Sequence, residues 1–214
     1  MKKSQAVLMG TETVLAEKKA KGHRRQVGIL GGNFNPVHQA HLIIADQVYH
    51  QLGLDQVYLM PSFESPHVDP KKTISADLRL EMLALATDSS PQLGIETVEI
   101  ERAGKSYTYD TMAALVAANP ETDYYFIIGG DMVEYLPTWH RLPELLELVQ
   151  LVGVRRPNYP VTSEYPIIWV DVPLMELSSS LIRKKVAENC SINYLLPENV
   201  IKYIDEKGLY RDDN

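Results

Sequence analysis

The chain has 214 residues, of which 45% are hydrophobic and 23% charged, and its formal net charge at pH 7 is −7. This composition is typical of a globular protein with one large domain or two small ones. The acidic balance argues against a general nucleic-acid-binding protein, which needs a basic surface to displace counterions. It does not exclude a small anionic substrate, because a local cluster of donors can bind phosphate on an acidic protein.

The N-terminal 25 residues differ from the rest of the chain, since they hold seven lysines or arginines against two glutamates. Their sequence shows no clear apolar face for a helix. We therefore interpret residues 1–25 as a flexible basic extension and residues 26–214 as one folded domain.

From Gln26 onward, apolar runs typical of strands alternate with segments of helical periodicity. Strands are predicted at 26–30, 56–61, 94–102, 123–131, 166–173 and the second half of 145–157. Helices are predicted at 38–52, 75–87, 106–119, the first half of 145–157, 178–189 and 197–210. This alternation predicts an α/β fold, a Rossmann-like doubly wound parallel sheet with helices on both faces. Ligands of such sheets bind beyond the carboxyl ends of the strands.

The only cysteine, Cys190, cannot form an intrachain disulfide, and a thiolate zinc site is not expected. No apolar run approaches the roughly 20 residues of a membrane span. The run at 6–9 is also shorter than the ~7–15 apolar residues of a signal peptide. We expect a cytoplasmic protein without membrane or nucleic-acid partners, and leave its oligomeric state open, a homo-oligomer included.

The first candidate site is the strand-to-helix turn at 29–42, "ILGGNFNPVHQAHL". Its glycine pair at 31–32 allows close approach of a ligand, and Asn35 and Pro36 are suited to the N-cap and first turn of a helix. The helix N-terminus favours an anion, to which His38 and His41 on one face would donate hydrogen bonds. The alternatives are a capped helix with surface histidines, or a two-histidine metal site that lacks further ligands.

A second loop-to-helix junction is "LSSSLIR" at 177–183. Three consecutive serines precede the helix, and Arg183 follows about one turn later. This arrangement predicts a second anion site. An ordinary serine N-cap is the alternative explanation.

The third candidate site is "IIGGDMVEYLPTWHR" at 127–141, where a strand enters a Gly-Gly turn. Asp131 stands where a carboxylate would meet a ribose, a helix N-terminus or a magnesium-bound phosphate. Trp139 would either stack on a flat ligand or pack in the core. Neither a Walker loop nor a GxGxxG motif occurs in the sequence.

Two of these motifs resemble signatures of a known superfamily. The segment "GGNFNPVHQAHL" resembles the GGTFDPxHxGH loop of HxGH nucleotidyltransferases, and "LSSSLIR" resembles their ISSTxIR motif. Further segments resemble the bacterial nicotinate-nucleotide adenylyltransferases within that superfamily, in order over about residues 26–211: "MPSFESPH", "LRLEMLALA", "SYTYDT", "IIGGDMVEYLPTWHRL", "VGVRRP" and "YIDEKGLY".

The resemblance implies transfer of AMP from ATP to nicotinate mononucleotide in NAD biosynthesis. The products would be pyrophosphate and nicotinic acid adenine dinucleotide. It also implies Mg²⁺ carried by ATP without protein side-chain ligands, and direct in-line attack by the substrate phosphate without a covalent intermediate.

The resemblance further implies which residues bind the two substrates. The residues implied for ATP are Gly31, Gly32, Asn33, Phe34, His38, His41, Asp131, Ser179, Ser180 and Arg183. Of these, His38, His41 and Arg183 would be catalytic. The residues implied for nicotinate mononucleotide are Gly32, Asn33, Phe34, Thr108, Tyr135, Trp139, Arg155 and Arg156. Trp139 would stack on the nicotinate ring, and Thr108 would lie near its carboxylate.

The sequence departs from the family pattern in the first loop, with asparagine at 33 and 35 and alanine at 40 in place of the usual Thr, Asp and Gly. Val68 also stands where the family has a lysine. We expect Lys71 or Lys72 to bind the substrate instead, in which case Lys71→Ala or Lys72→Ala would weaken binding.

Two other functions remain open. A sister transferase would adenylylate phosphopantetheine or transfer CMP to an alcohol phosphate, but Thr108 and Trp139 favour an aromatic acid as substrate. A non-catalytic nucleotide-binding module is the other alternative, against which both histidines and the Ser–Arg motif argue. Strictness for nicotinate over nicotinamide mononucleotide is not determined by the sequence.

Overall fold

The computed structural model describes residues 24–64, 73–155, 163–173 and 175–211. Residues 1–23 of the predicted extension lie outside the described residues, as do Lys71, Lys72 and Arg156. The first strand begins at Arg25, one residue before the predicted start of the folded domain.

The centre of the fold is a six-stranded sheet in the order β3-β2-β1-β4-β5-β6, with every neighbouring pair parallel. The strands are β1 (Arg25–Gly32), β2 (Gln56–Pro61), β3 (Leu93–Ile95), β4 (Thr122–Gly129), β5 (Val149–Val154) and β6 (Ile167–Val170). From β1 the chain continues to β2 and β3 on one side of it, and then returns to form β4, β5 and β6 on the other side. The connections therefore diverge between β1 and β4. The sheet is doubly wound, as predicted, and ligands of such sheets bind at this switch point.

Seven α-helices and one 3₁₀ helix connect and flank the described strands. They are α1 (Gln39–Leu52), α2 (Ala76–Thr87), α3 (Val98–Arg102), α4 (Thr108–Ala118), the 3₁₀ helix (Gly130–Thr138), α5 (Leu142–Leu148), α6 (Ser179–Ala187) and α7 (Glu198–Lys207). Within the part of the chain that the structure describes, none of the helices is long and apolar enough to cross a membrane.

Apolar clusters cover both faces of the sheet. Residues of α1, α2, α6 and α7 form one cluster with Leu30, and residues of α4, α5 and the 3₁₀ helix form the other with Val27 and Ile29. Side chains alternate between the faces of a strand, so β1 contributes to both clusters. This two-sided burial explains why the strands are continuous apolar runs rather than alternating ones.

The predicted strand at 94–102 is wrong beyond its first two residues. Only Leu93–Ile95 pairs in the sheet, and Val98–Arg102 forms the short helix α3. Glu99 on this helix is buried and accepts a hydrogen bond from the Thr111 hydroxyl at 2.8 Å. Alternating residues over so short a stretch fit a strand or a helical turn, and this tertiary contact favours the helix.

The helix predicted at 38–52 is confirmed within one residue, but the predicted N-cap is wrong. Its N-cap is His38 rather than Asn35, and Pro36 precedes the helix in a cis peptide bond with Asn35. Asn35 is buried, and its side-chain oxygen accepts a hydrogen bond from the Tyr210 hydroxyl at 2.8 Å. The Asn35 side chain, which the local sequence pattern predicts as an N-cap, therefore binds Tyr210, a residue distant in sequence.

Candidate active site

A cavity of about 750 Å³ opens at the switch point, beyond the carboxyl ends of β1 and β4. Its walls come from β1, β2, β4, the start of α4 and the 3₁₀ helix. Six of the predicted binding residues line this cavity: Gly31, Gly32, Asn33, Thr108, Tyr135 and Trp139. We call it the aromatic cavity.

Aromatic side chains form much of the cavity's wall. Trp139 meets Phe126 edge to face, with ring centroids 6.0 Å apart, and Tyr135 is 58% exposed at the rim. The rings of Tyr107 and His140 lie 4.9 Å apart and also line the cavity. Such a wall suits a flat aromatic ligand, because stacked and edge-to-face rings are favoured over isolated ones.

The aromatic cavity includes residues that the sequence did not single out: Met132, Glu99, Ser106, Tyr107 and His140. Burial raises the pKa of the Glu99 carboxyl, while the hydrogen bond from Thr111 opposes that rise. Arg102 in turn donates to the Thr111 hydroxyl at 2.7 Å. The stretch 94–102 holds three glutamates, and nothing in the sequence distinguishes Glu99 from the other two.

The two histidines of the first loop lie side by side, as predicted. The ring centroids of His38 and His41 are 3.7 Å apart with the planes 22° from parallel, and the His41 ring meets Phe34 edge to face at 4.9 Å. The backbone N–H of His38 donates to Nδ1 of His41 at 3.2 Å. In the neutral His41 ring this leaves the proton on Nε2, which then acts as a donor.

The second junction packs directly against the first loop. Ser178 is the N-cap of α6, and its hydroxyl accepts from the Leu181 N–H at 3.2 Å. The Ser179 hydroxyl donates to the Pro36 carbonyl at 2.8 Å. Arg183 donates through Nη1 to the Asn35 carbonyl at 2.7 Å and through Nη2 to the Ser180 hydroxyl at 3.1 Å. The fold therefore unites the two predicted anion sites.

Two other predicted residues lie apart from the aromatic cavity. Asp131 is the second residue of the 3₁₀ helix, just after β4, and is partly exposed. Arg155 follows β5, and its guanidinium pairs with the Asp171 carboxylate at 3.1 Å. The structure does not place either side chain among the cavity-lining groups.

Comparison with known proteins shows which family this chain resembles. A family model described as cytidylyltransferase-like matches residues 29–185. A probable nicotinate-nucleotide adenylyltransferase from Enterococcus faecalis is 66% identical over 205 residues, covering 95% of this chain and 94% of that protein. Another, from Streptococcus pneumoniae, is 60% identical over 199 residues, covering 93% of each chain.

A solved structure is similar in fold. The Plasmodium falciparum nicotinic acid mononucleotide adenylyltransferase complexed with NaAD matches with a TM-score of 0.74 and 18% identity, covering 87% of this chain and 97% of that chain. At this identity the match shows the fold alone, and it agrees with the doubly wound sheet described above.

Proposed function

This chain belongs to the nicotinate-nucleotide adenylyltransferases of the cytidylyltransferase-like family, and we propose that it transfers AMP from ATP to nicotinate mononucleotide. Pyrophosphate and nicotinic acid adenine dinucleotide are the products, a step in NAD biosynthesis. One observation carries the proposal: Asn33 lines the aromatic cavity and also begins the loop that Ser179 and Arg183 hold. An aromatic substrate and a phosphate donor would therefore meet at one point.

We assign the nicotinate moiety to the aromatic cavity. The ring would stack on Trp139, and its carboxylate would lie at Thr108, the first residue of α4. The first N–H groups of a helix have no intrahelical partners, and the helix dipole favours negative charge at this end. The acid would therefore bind more tightly than the neutral amide.

We assign the triphosphate to the first loop and the start of α6. His41 would donate through Nε2, beside His38, while Ser180 and Arg183 supply a hydroxyl and a guanidinium. Attack of the substrate phosphate on the α-phosphorus builds negative charge on the departing pyrophosphate. Prearranged donors stabilise that charge, so catalysis would be positioning and electrostatics without a protein nucleophile. Asp131, in the first turn of the 3₁₀ helix that follows β4, is assigned to the ribose of the adenosine.

We propose that Mg²⁺ arrives bound to ATP. The described residues hold no group of three or more histidine, cysteine or acidic side chains able to bind a metal. Magnesium commonly keeps several waters and binds through substrate phosphates with few protein ligands, so these residues fit such an ion. When bound, it would neutralise charge on the triphosphate.

We further infer a reducing compartment, the cytoplasm, from the single and exposed Cys190. ATP and nicotinate mononucleotide would be the ligands of this site. The net charge of −7 supports a small-molecule enzyme rather than a nucleic-acid-binding protein.

The activity is tested by incubating the full chain with ATP, magnesium and nicotinate mononucleotide. We expect pyrophosphate release and formation of nicotinic acid adenine dinucleotide. Parallel reactions with nicotinamide mononucleotide, with phosphopantetheine, and with CTP plus an alcohol phosphate test the alternatives. Comparable kcat/KM for the acid and the amide would contradict the assignment of the carboxylate to Thr108. ATP binding without pyrophosphate release would favour a non-catalytic module.

A further inference from the structure

The loop 33–36 joins β1 to the two histidines, and other elements hold its backbone oxygens. Three carbonyls accept side-chain hydrogen bonds from residues distant in sequence: Asn33 from Arg79 Nη1 at 2.9 Å, Asn35 from Arg183 Nη1 at 2.7 Å, and Pro36 from Ser179 Oγ at 2.8 Å. The C=O and N–H of a trans peptide point in opposite directions. Holding the Asn33 and Pro36 oxygens therefore also orients the N–H groups of Phe34 and Val37.

The conformation of this loop is not one that the backbone adopts by default. Phe34 has a φ of +47°, in the left-handed region that residues with a Cβ seldom occupy. Such a conformation is unfavourable and persists only where the surroundings of the residue impose it. Phe34 is 1% exposed, between the held residues Asn33 and Asn35. The loop therefore depends on partners outside itself.

One of those partners comes from the far end of the chain. Tyr210 follows α7, and its hydroxyl donates to the Asn35 side-chain oxygen at 2.8 Å across 175 residues of sequence. Burial raises the pKa of Tyr210 above its ordinary value, while the charges of Arg183 and Arg79 oppose the rise. The hydroxyl therefore keeps its proton at neutral pH and remains a donor.

We propose that Tyr210 is a positioning residue for adenylyl transfer, acting through Asn35 on the loop 33–36. The inference rests on the proposed function of the same site. Asn35 is 1% exposed, and its carbonyl accepts from Arg183, which the triphosphate would contact. Three residues after Asn35, the His38 N–H donates to Nδ1 of the His41 ring. A displacement of Asn35 would therefore shift the groups that stabilise the departing pyrophosphate.

The position of Tyr210 relative to the aromatic cavity indicates which kinetic constant should change when its hydroxyl is removed. Trp139 directly follows the 3₁₀ helix and Thr108 begins α4. Tyr210 is not among the residues that line the cavity, and its hydroxyl donates to Asn35 in the loop. Loss of the Tyr210 hydroxyl should therefore lower kcat while the KM for nicotinate mononucleotide stays nearly constant. A general loss of folded protein would also lower the apparent kcat, in proportion to the folded fraction, so the folded fraction has to be measured beside the kinetics.

The first test is Tyr210→Phe, which removes one hydroxyl and keeps the ring. We expect kcat to fall about tenfold, because small misplacements of reacting groups are costly, and the KM for nicotinate mononucleotide to change less than about twofold. Circular dichroism at the assay temperature should show the variant fully folded. Tyr194→Phe is the matched control, since Tyr194 is 90% exposed, and it should behave as the wild type. A kcat of Tyr210→Phe within about twofold of the wild type would overturn the proposal.

The second test asks whether Tyr210 acts through Asn35. Asn35→Ala should lower kcat by a similar factor, and the double variant should be no worse than either single one, since residues that share one interaction are not additive. Asn35→Asp keeps an acceptor oxygen and should retain more activity than Asn35→Ala. Fully additive losses, or equal losses in Asn35→Asp and Asn35→Ala, would refute the coupling.

A third measurement separates this inference from the proposed reaction. If the wild-type chain releases no pyrophosphate, the reaction assignment fails. The role of Tyr210 is then decided by calorimetric binding of a non-hydrolysable ATP analogue. We expect about tenfold weaker binding by Tyr210→Phe than by the wild type. If the reaction assignment has failed, equal affinities in the two proteins would contradict the proposal.

Discussion

The two sides of the proposed site present different chemical groups to a ligand. The aromatic cavity presents side-chain surfaces, among them Trp139 and the half-exposed rim residue Tyr135. The loop 33–36 instead presents backbone that side-chain donors from α2 and α6 hold, and the Tyr210 hydroxyl, after α7, binds its Asn35 side chain. Substitutions in the cavity should therefore alter substrate choice, and substitutions around the loop should alter the rate.

The two adjacent glycines of β1 face different sides of the site. A Cβ at Gly31 would lie 3.3 Å from the Phe126 ring in the cavity wall, whereas a Cβ at Gly32 would lie 3.1 Å from the Phe34 ring in the loop. Successive residues of a strand point to opposite faces. Both glycines line the cavity, but one faces its Phe126 wall and the next faces the Phe34 ring of the loop 33–36.

The largest expected effect comes from His41→Ala. If His41 donates to the departing pyrophosphate, kcat should fall by about two to three orders of magnitude with little change in the KM for nicotinate mononucleotide. Steady-state kinetics measures both constants. His50→Ala on the same helix is the control, because His50 is exposed and pairs with Asp46 at 3.4 Å. A near-normal rate for His41→Ala would remove this ring from the mechanism.

Trp139→Ala tests the other side of the comparison. Loss of the stacking surface should raise the KM for nicotinate mononucleotide about tenfold or more while the KM for ATP stays nearly constant. Trp139→Phe, which keeps a smaller ring, should show a lesser rise. Equal rises in the KM values for both substrates would contradict the assignment of the two substrates to separate sides of the site.

Substitutions of the two glycines should have effects of intermediate size, and they compare the two sides of the site most directly. Gly31→Ala should raise the KM for nicotinate mononucleotide about threefold to tenfold, and Gly32→Ala should lower kcat by a similar factor, because each methyl crowds a different ring. The same kinetic assay measures both variants, and each serves as the control for the other. Identical effects of the two substitutions would contradict the assignment.

The smallest expected effect concerns Glu99, whose pKa burial raises. The folded state then holds this proton more tightly than the unfolded chain, so stability falls as the pH rises from the ordinary carboxyl pKa through the raised value. Glutamine cannot ionise. The melting temperature of Glu99→Gln should therefore gain a few degrees on the wild type between about pH 4 and about pH 8.

Thermal melting at both pH values checks the role of Glu99. Glu206→Gln, at an exposed position of α7, is the matched control. A melting-temperature difference for Glu99→Gln that stays constant with pH, or one equal to that of Glu206→Gln, would show that Glu99 does not carry the pH dependence.

Elements with long, regular patterns were predictable from the sequence. The strand predicted at 56–61 and the helix predicted at 75–87 are confirmed within one residue. In the structure Ser75 is the N-cap of that helix, and its hydroxyl accepts from the Leu78 N–H. The predictions at 94–102 and at Asn35 are wrong, because buried polar contacts with Thr111 and Tyr210 override the local pattern there. Hydrogen bonds of buried polar groups are costly to leave unmade, so they outweigh weak local preferences.

The site residues, like the secondary structure, include some that the sequence predicts and some that it does not. The glycine turns, the histidine pair and the Ser–Arg motif were visible as short motifs, because each is a local strand-to-helix or loop-to-helix junction. Glu99, Arg79 and Tyr210 carry no such motif. Their roles arise from burial and from partners 12 to 175 residues away in the chain.

The sequence by itself determined the alternation of strands and helices, and hence a parallel sheet with its ligand site at one edge. It also determined the chemistry available at that edge, since glycine, serine, histidine and arginine are present in the turns. Only the tertiary structure decided which groups meet, such as Ser179 with Pro36 across 143 residues. The physical reason is that periodicity reports burial along one element, whereas contacts between elements depend on how the whole sheet is ordered.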